Sequence, residues 1–382
     1  MSENSSRPKR TAASDSALGV GIIGVSAERG WAATAHIPAL NALAEYEIRA
    51  LSAHSPAAAR AAGAAFGVNA VFTDHEQLVA RADVDVVAVT VKVPHHRELV
   101  DAALTAGKAV YCEWPLGRNL EDAEAMAALA ADLGLRTVVG LQARQSPAIE
   151  YVRELVSDGY AGEVLSTTMV GLSVPGGKVI QPNAYMLDGA NGANMLTIAI
   201  GHSVDTLNYV LGEFAELSAL SDLRRPLITV AETGKQIVKS APDQVALIGT
   251  LKSGAVASVH VREAVAGGAG FLWEINGTDA TLRITADAAY PEIFPLTVMG
   301  AQGDEELAEV PVPARLSAKW PSLTGLAATP AYNVGRAYAA FAADIANGTH
   351  TVPDFADAVR RHHLIAAIER SASSGNRVNG CH

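Results

Sequence analysis

The chain has 382 residues, of which 49% are hydrophobic and 18% charged, and its formal net charge is −11. That length supports two domains with separate cores, and the composition is that of a soluble globular protein. No apolar stretch approaches a membrane span, the acidic balance disfavours nucleic acid as a partner, and two cysteines, Cys112 and Cys381, cannot form a disulfide framework. Met1–Ala17 contains Ser, Lys and Arg without an apolar segment and reads as a disordered tail, which together with the few cysteines points to the cytoplasm.

From residue 18 to residue 140, short apolar runs alternate with helical patterns. The predicted strands are Val20–Ile23, Ile48–Ser52, Val84–Val91, Ala109–Cys112 and Thr137–Val139. Between them lie predicted helices at Pro56–Phe66, Asp74–Ala80, His95–Ala106 and Leu120–Leu133. Continuous apolar strands separated by helices predict a parallel sheet covered on both faces, a Rossmann-type dinucleotide-binding domain. Its first turn departs from G-x-G-x-x-G, since Ser26 takes the second glycine's place and the loop runs from Gly24 on to Gly30. A glycine turn often serves geometry alone. At the head of such a pattern it also aims helix-terminal N–H groups at a pyrophosphate, which makes Gly24, Ser26, Gly30, Trp31 and Ala32 candidate cofactor contacts. The second strand ends in Ala53-His54-Ser55-Pro56, with Arg60 one turn later, where NAD-preferring domains carry an acidic residue. His54, Ser55 and Arg60 therefore favour NADP over NAD.

The second half, 141–382, reads differently. A helix at Ser146–Val156 and a strand at Glu163–Val174 precede a Gly/Pro-rich loop, Val174–Asn183, and a helical run from Asn194 to Leu211. Strands follow at Phe214–Leu220, Val245–Leu251, Ala255–Glu263, Phe271–Gly277 and Ala280–Thr285; Ala286–Ala327 is irregular, and Tyr332–Asn347 and Pro353–Ser374 are closing helices. Consecutive strands with tight turns predict a large, mainly antiparallel sheet with helices on one face. Apolar residues on its other face predict association with a second copy.

Several motifs coincide here: the glycine turn, Gly107-Lys-Ala-Val-Tyr-Cys-Glu113-Trp114-Pro115, Gly140-Leu-Gln142-Ala-Arg144, Gly201-His202-Ser-Val-Asp205 and Ser371-Ala-Ser-Ser-Gly-Asn-Arg-Val. On these residues the chain resembles the glucose–fructose oxidoreductase/inositol dehydrogenase (Gfo/Idh/MocA) family from Gly19 onward. Gly30-Trp31-Ala32, His36-Ile-Pro38, Glu113-Trp114 and Asn191-Gly192 resemble the subgroup of the fungal galactose-pathway repressors. The family resemblance implies hydride transfer between a nicotinamide dinucleotide and a carbinol carbon of a sugar, cyclitol or related polyol, in a homodimer or homotetramer. The subgroup resemblance implies instead a non-catalytic dinucleotide- or sugar-sensing regulator that acts through protein contacts.

The resemblance also assigns residues. It implies that Thr90, Val91, Glu113, Trp114 and Gln142 contact the cofactor. Family enzymes use the Lys of a Glu-Lys-Pro motif with an Asp and a His on a helix; Trp114 and Ile198 stand at the first two positions, and His202 remains. His202 is the expected proton-transfer group, since an unperturbed imidazole titrates near working pH. Lys92 is a candidate replacement for the missing Lys, its alternative being a solvated ammonium at a strand end, and Tyr185 is a third catalytic candidate. Lys92, Tyr185, Asp188, Asn194, His202 and Asp205 are expected around the substrate. His36 is expected to cap or pack. His95 and His96 have no Cys or carboxylate cluster beside them in the sequence, and no metal is expected.

Overall fold

The apolar runs of the first half form a parallel sheet in the computed structural model, which describes residues 17–173, 176–264 and 270–380. The tail through Ser16, Val174 and Cys381 lie outside the described residues. The strands are β1 (Leu18–Ile23), β2 (Tyr46–Ser52), β3 (Val71–Phe72), β4 (Val86–Val89), β5 (Ala109–Cys112) and β6 (Thr137–Val139). Their order is β3-β2-β1-β4-β5-β6. Helices cover both faces, so β4 is buried along its whole length and reads as an unbroken apolar run. The order reverses between β1 and β4, and the carboxyl ends of these two strands open a crevice. Gly24 leaves β1 there with φ +102°, and a Cβ on it would lie 2.7 Å from Val91 Cγ1 and 3.1 Å from the Thr90 carbonyl carbon. No side chain fits between the two strand ends.

The second half is built on nine strands among the described residues, in the order β17-β16-β15-β14-β7-β13-β12-β9-β18. They are β7 (Val164–Leu172), β9 (Phe214–Asp222), β12 (Gln244–Leu251), β13 (Val256–Arg262), β14 (Phe271–Gly277), β15 (Ala280–Ala286), β16 (Thr297–Gln302), β17 (Ala308–Glu309) and β18 (Val378–Asn379). Neighbours run antiparallel except β7 and β13. A small side sheet joins β8 (Lys178–Val179), β10 (Leu227–Val230) and β11 (Gln236–Val238). The segment read as irregular, Ala286–Ala327, contains β16, which pairs with β15 through Leu282↔Gly300 and Ile284↔Val298. Gly300 sits mid-strand beneath the Tyr160 hydroxyl, so this strand shows no clear period-two pattern of its own.

Alternation decides the two faces of the large sheet. Val245, Leu247, Val259, Val261, Trp273 and Ile284 point into the core, while Leu220, Ile248 and Val256 stay exposed on the other face. The closing helices pack on both halves. Ala331–Asn347 buries Val334, Tyr338 and Phe341 in one core with Val20 and Ile22, and Phe355–Ser374 packs against Leu120–Asp132 and β9.

A buried ion network ties these elements together. Arg144, in the turn after β6, donates to both Asp205 oxygens at 2.6 and 2.9 Å and to Asp357 at 2.9 Å. Arg361, wholly buried, faces Asp205 at 3.5 Å and pairs with Glu213. Burial works against the Arg144 charge, but Asp205 and then Asp357 outweigh it and raise its pKa. Asp205 thus serves this network, not the substrate pocket where its place beside His202 had put it. An Asp205→Ala variant leaves two buried guanidinium groups short of a partner and should lose about 3–5 kcal/mol of stability in denaturant unfolding.

Candidate active site

The crevice at the strand ends is a cleft of about 1070 Å³, walled by the Gly24–Gly30 turn and the ends of β1, β2 and β4. Ile180, Gln181, Pro182, Asn183 and Glu232 close it from the second half. In a chain of net charge −11 its lining is biased the other way: Arg29, Lys92, His54 and His75 face one carboxylate, Glu232. Gly30 has φ +92° and open space around its α-carbon. An open turn with basic groups suits a phosphate-bearing ligand, so the donor set fits a dinucleotide.

A smaller pocket of about 210 Å³ adjoins the cleft at Val91, between the ends of β4 and β5 and the helix Gly201–Leu211. Its lining includes Trp31, Thr90, Val91, Glu113, Trp114 and Gln142. Glu113 is held by donors: His36 Nε2 donates to Oε1 at 2.7 Å, and Gln142 Nε2 donates to Oε1 and Oε2 at 3.1 and 2.8 Å. With Nε2 donating, His36 Nδ1 accepts from the Tyr338 hydroxyl at 2.8 Å. Gly140 makes room for this arrangement, since a Cβ there would fall 2.6 Å from Glu113 Oε2. His96 contacts the Val91 and Pro115 carbonyls at 3.0 Å each and ties the two strand ends together; burial lowers its pKa.

Trp114 explains how the pocket forms without the motif Lys. Its Nε1 donates to the Thr197 carbonyl at 2.7 Å, inside the wide π-type turn Leu196–Ile200, and its ring lies where a Cβ on Gly201 would be. A side chain inserted into the hydrogen-bond ladder accounts for the π turn. The helix that follows begins at Gly201 and carries His202 into the pocket wall. Ile198, at the usual Asp position, also lines the pocket.

His202 is 5% exposed, and its Nε2 lies 3.5 Å from Oε1 of Glu292, which is 4% exposed. Burial pushes the His202 pKa down to about 3 and Glu292 up to about 8, so the two face each other as neutral groups near pH 7. His202 Nδ1 and Glu292 Oε2 have no hydrogen-bond partner. Glu292 was not anticipated. It sits in the segment read as irregular, in a turn closed by the Ile293 and Phe294 amides on the Tyr290 carbonyl. The available signal was a lone acid in the apolar run Tyr290-Pro-Glu-Ile-Phe294.

The remaining candidates divide. Tyr185 lines the smaller pocket, and Lys92 lines the larger cleft with Nζ 4.6 Å from the centre of the Tyr185 ring. Asn194 lines an adjoining cavity beside the ion pair of Lys239 and Glu263, and its Oδ1 accepts from the Leu196 amide at 2.9 Å. Asp188 lines neither space; it accepts from the Ala190 amide and from Ser240 Oγ. Ser55 caps the helix Pro56–Phe66 by accepting from the Ala58 amide, and Arg60 is exposed outside the cleft. Ala32 is buried in the core behind the glycine turn. Arg29, His75 and Thr73 take the cleft positions expected of Ser55 and Arg60. Among the described residues no three His, Cys, Asp or Glu side chains cluster as a metal site, and no helix is long and apolar enough to cross a membrane.

Comparison with known proteins agrees with this architecture. Residues 18–141 match the NAD-binding Rossmann fold of an oxidoreductase family, and residues 147–286 match the C-terminal domain of Gal80p. The dehydrogenase aclE of Aspergillus oryzae is 30% identical over 343 residues, covering 87% of this chain and 88% of that protein. The galactose/lactose metabolism regulatory protein GAL80 of Saccharomyces cerevisiae is 28% identical over 305 residues, 73% of this chain and 69% of that protein. Among solved structures, levoglucosan dehydrogenase in complex with NADH and levoglucosan superposes with a TM-score of 0.80 at 24% identity, over 95% of this chain and 99% of that one. The chain therefore belongs to the Gfo/Idh/MocA oxidoreductase family, with an NAD-binding Rossmann domain followed by a Gal80p-like C-terminal domain.

Proposed function

We propose that this protein is a nicotinamide-dependent oxidoreductase acting on a carbinol carbon of a sugar, cyclitol or related polyol, or on the matching carbonyl. The observation that carries the reading is His202, a neutral buried imidazole in the wall of a pocket that adjoins the dinucleotide cleft. A neutral imidazole accepts a proton on one nitrogen and donates from the other, as a reaction that adds or removes a hydroxyl proton requires. The turn residues Gly24, Ser26, Arg29 and Gly30 would hold the cofactor phosphates, with Glu113 and Gln142 beside its ring; bound there, the nicotinamide supplies hydride chemistry. Trp114 and Ile198 give the smaller pocket an apolar wall, and the Tyr185 hydroxyl offers a polar contact for the substrate. The dehydrogenase relative supports the oxidoreductase reading, and the similarity to a D-apiose dehydrogenase and an inositol 2-dehydrogenase supports a sugar-like substrate.

A second reading, a dinucleotide- or sugar-sensing regulator, is favoured by Trp114 and Ile198 at the usual Lys and Asp positions and by the similarity to GAL80. A panel of polyols and glycosides assayed with NAD⁺ and NADP⁺ separates the two. In the enzyme, His202→Ala should lower turnover about a hundredfold or more while leaving dinucleotide affinity nearly unchanged. Tight dinucleotide binding with no turnover on any substrate would favour the regulator.

The cofactor reading is NADP over NAD, now on His54, Arg29 and His75 at the end of the cleft formed by β2 and β3. His54→Asp puts a negative charge where a 2′-phosphate would sit and should shift the NADP/NAD affinity ratio about tenfold toward NAD in calorimetry.

We also propose that the open face of the large sheet pairs with a second copy, giving a homodimer or homotetramer. Leu220, Ile248 and Val256 are 63%, 60% and 59% exposed there, with Ile248 flanked across the strands by Ser218 and Ser258. That surface is apolar enough to associate and flat enough to stack. Light scattering should give an oligomeric mass for the wild type and a smaller one for Ile248→Glu.

A further inference from the structure

Glu292 is a buried carboxyl group whose surroundings lack a matching charge. Among the described residues no Lys or Arg forms an ion pair with it, and its nearest titratable neighbour is His202, 3.5 Å away. The other titratable groups lining the pocket are Glu113, His96, Tyr185 and Tyr290. Burial works against a charge on His96 and raises Tyr185, and Glu113 opposes a second negative charge. Glu113 itself rests on two donor side chains, whereas Glu292 has one oxygen without a partner. An ionised carboxylate is costly in such a place, and the protonated acid is the stable form. The turn is firm, since Asn333 Nδ2 donates to the Glu292 carbonyl at 2.9 Å.

We propose that Glu292 is the acid of this pocket, passing its proton through His202 to the oxygen of a carbonyl substrate as hydride arrives from the reduced dinucleotide, so that the protein works near neutral pH as a reductase. The proposal rests on the oxidoreductase reading above and adds a residue and a direction to it. The Glu292 O–H bond breaks as its proton joins His202 Nε2, and the Nδ1–H proton moves to the substrate oxygen. The carbonyl carbon gains the hydride, the C=O π pair becomes the new O–H bond, and the product is a carbinol. The dinucleotide ring is left with one positive charge and Glu292 with one negative charge, so the pocket stays neutral overall. Nδ1, buried and without a protein partner, is the nitrogen that the relay assigns to the substrate. Oxidation runs the same path backwards and needs Glu292 ionised, which in the free protein occurs above about pH 8.

Two measurements test this, one without turnover. The folded Glu292 pKa, about 8, exceeds the ordinary glutamate value of about 4.3, so stability from its retained proton is full below the ordinary value and is lost as pH rises toward 8. Glu292→Gln copies the protonated form and has no proton to lose. Its melting temperature should therefore climb relative to wild type between pH 5 and 8, and a difference constant with pH overturns the protonated acid. In the second measurement, ketoses and keto-cyclitols are assayed with NADPH and NADH. Wild-type kcat/KM should fall through about pH 8, while Glu292→Gln loses about tenfold or more in kcat/KM together with that pH step, at unchanged dinucleotide Kd. A Glu292→Gln enzyme with the wild-type profile overturns the relay. Wild type that turns over neither carbonyls nor polyols overturns the oxidoreductase reading itself, whatever the melting curves show.

Discussion

The contact between Trp114 and Gly201 is the constraint on which the site depends. The indole leaves the end of a parallel strand, donates into the turn Leu196–Ile200 and occupies the volume a side chain at position 201 would need. It thereby seats the first half of the chain on the helix that carries His202. The absence of a Cβ at Gly201 permits the approach, and the π turn supplies the carbonyl that receives the indole N–H. A chain with Lys at 114 would require a different fit at 197 and 201. The departure from the family's Glu-Lys-Pro pattern is therefore a repacked joint as well as a lost ammonium group.

Two carboxyl groups share the pocket in opposite environments. Glu113 receives hydrogen bonds from His36 and Gln142. Glu292 has a neutral imidazole, apolar walls and an unpartnered oxygen, and burial raises its pKa. The same burial lowers His202, and the two shifts together leave a neutral pair within reach of a dinucleotide cleft.

The charges that anchor the helix within the second half lie elsewhere. Arg144 and Arg361 share Asp205, with Asp357 and Glu213 completing the cluster. One short helix thus carries a proton-transfer candidate and, one turn further on, the centre of an ion network. That division lets the pocket remain almost free of full charges while the helix is anchored by strong ones.

The amino-acid sequence by itself determined the elements whose period is local. Pro56–Phe66, Ala109–Cys112, Thr137–Val139 and Phe271–Gly277 are where apolar spacing put them, because buried parallel strands and amphipathic helices encode their own faces. It also determined the glycine turn and His202, since both sit in motifs read along a few neighbouring residues. Ser55 was read as a cofactor contact, although a Ser before Pro is an N-cap signal, and the cap is what formed. Tertiary structure decided the rest. The two-residue strand β18 exists because β9 lies beside it, and β16 because β15 offers an edge. Asp205 meets Arg144 across 61 residues, and Glu292 meets His202 only after a nine-stranded sheet has brought an irregular segment back over the cleft. A carboxyl group's proton affinity depends on what surrounds it in space, and those neighbours come from distant parts of the chain.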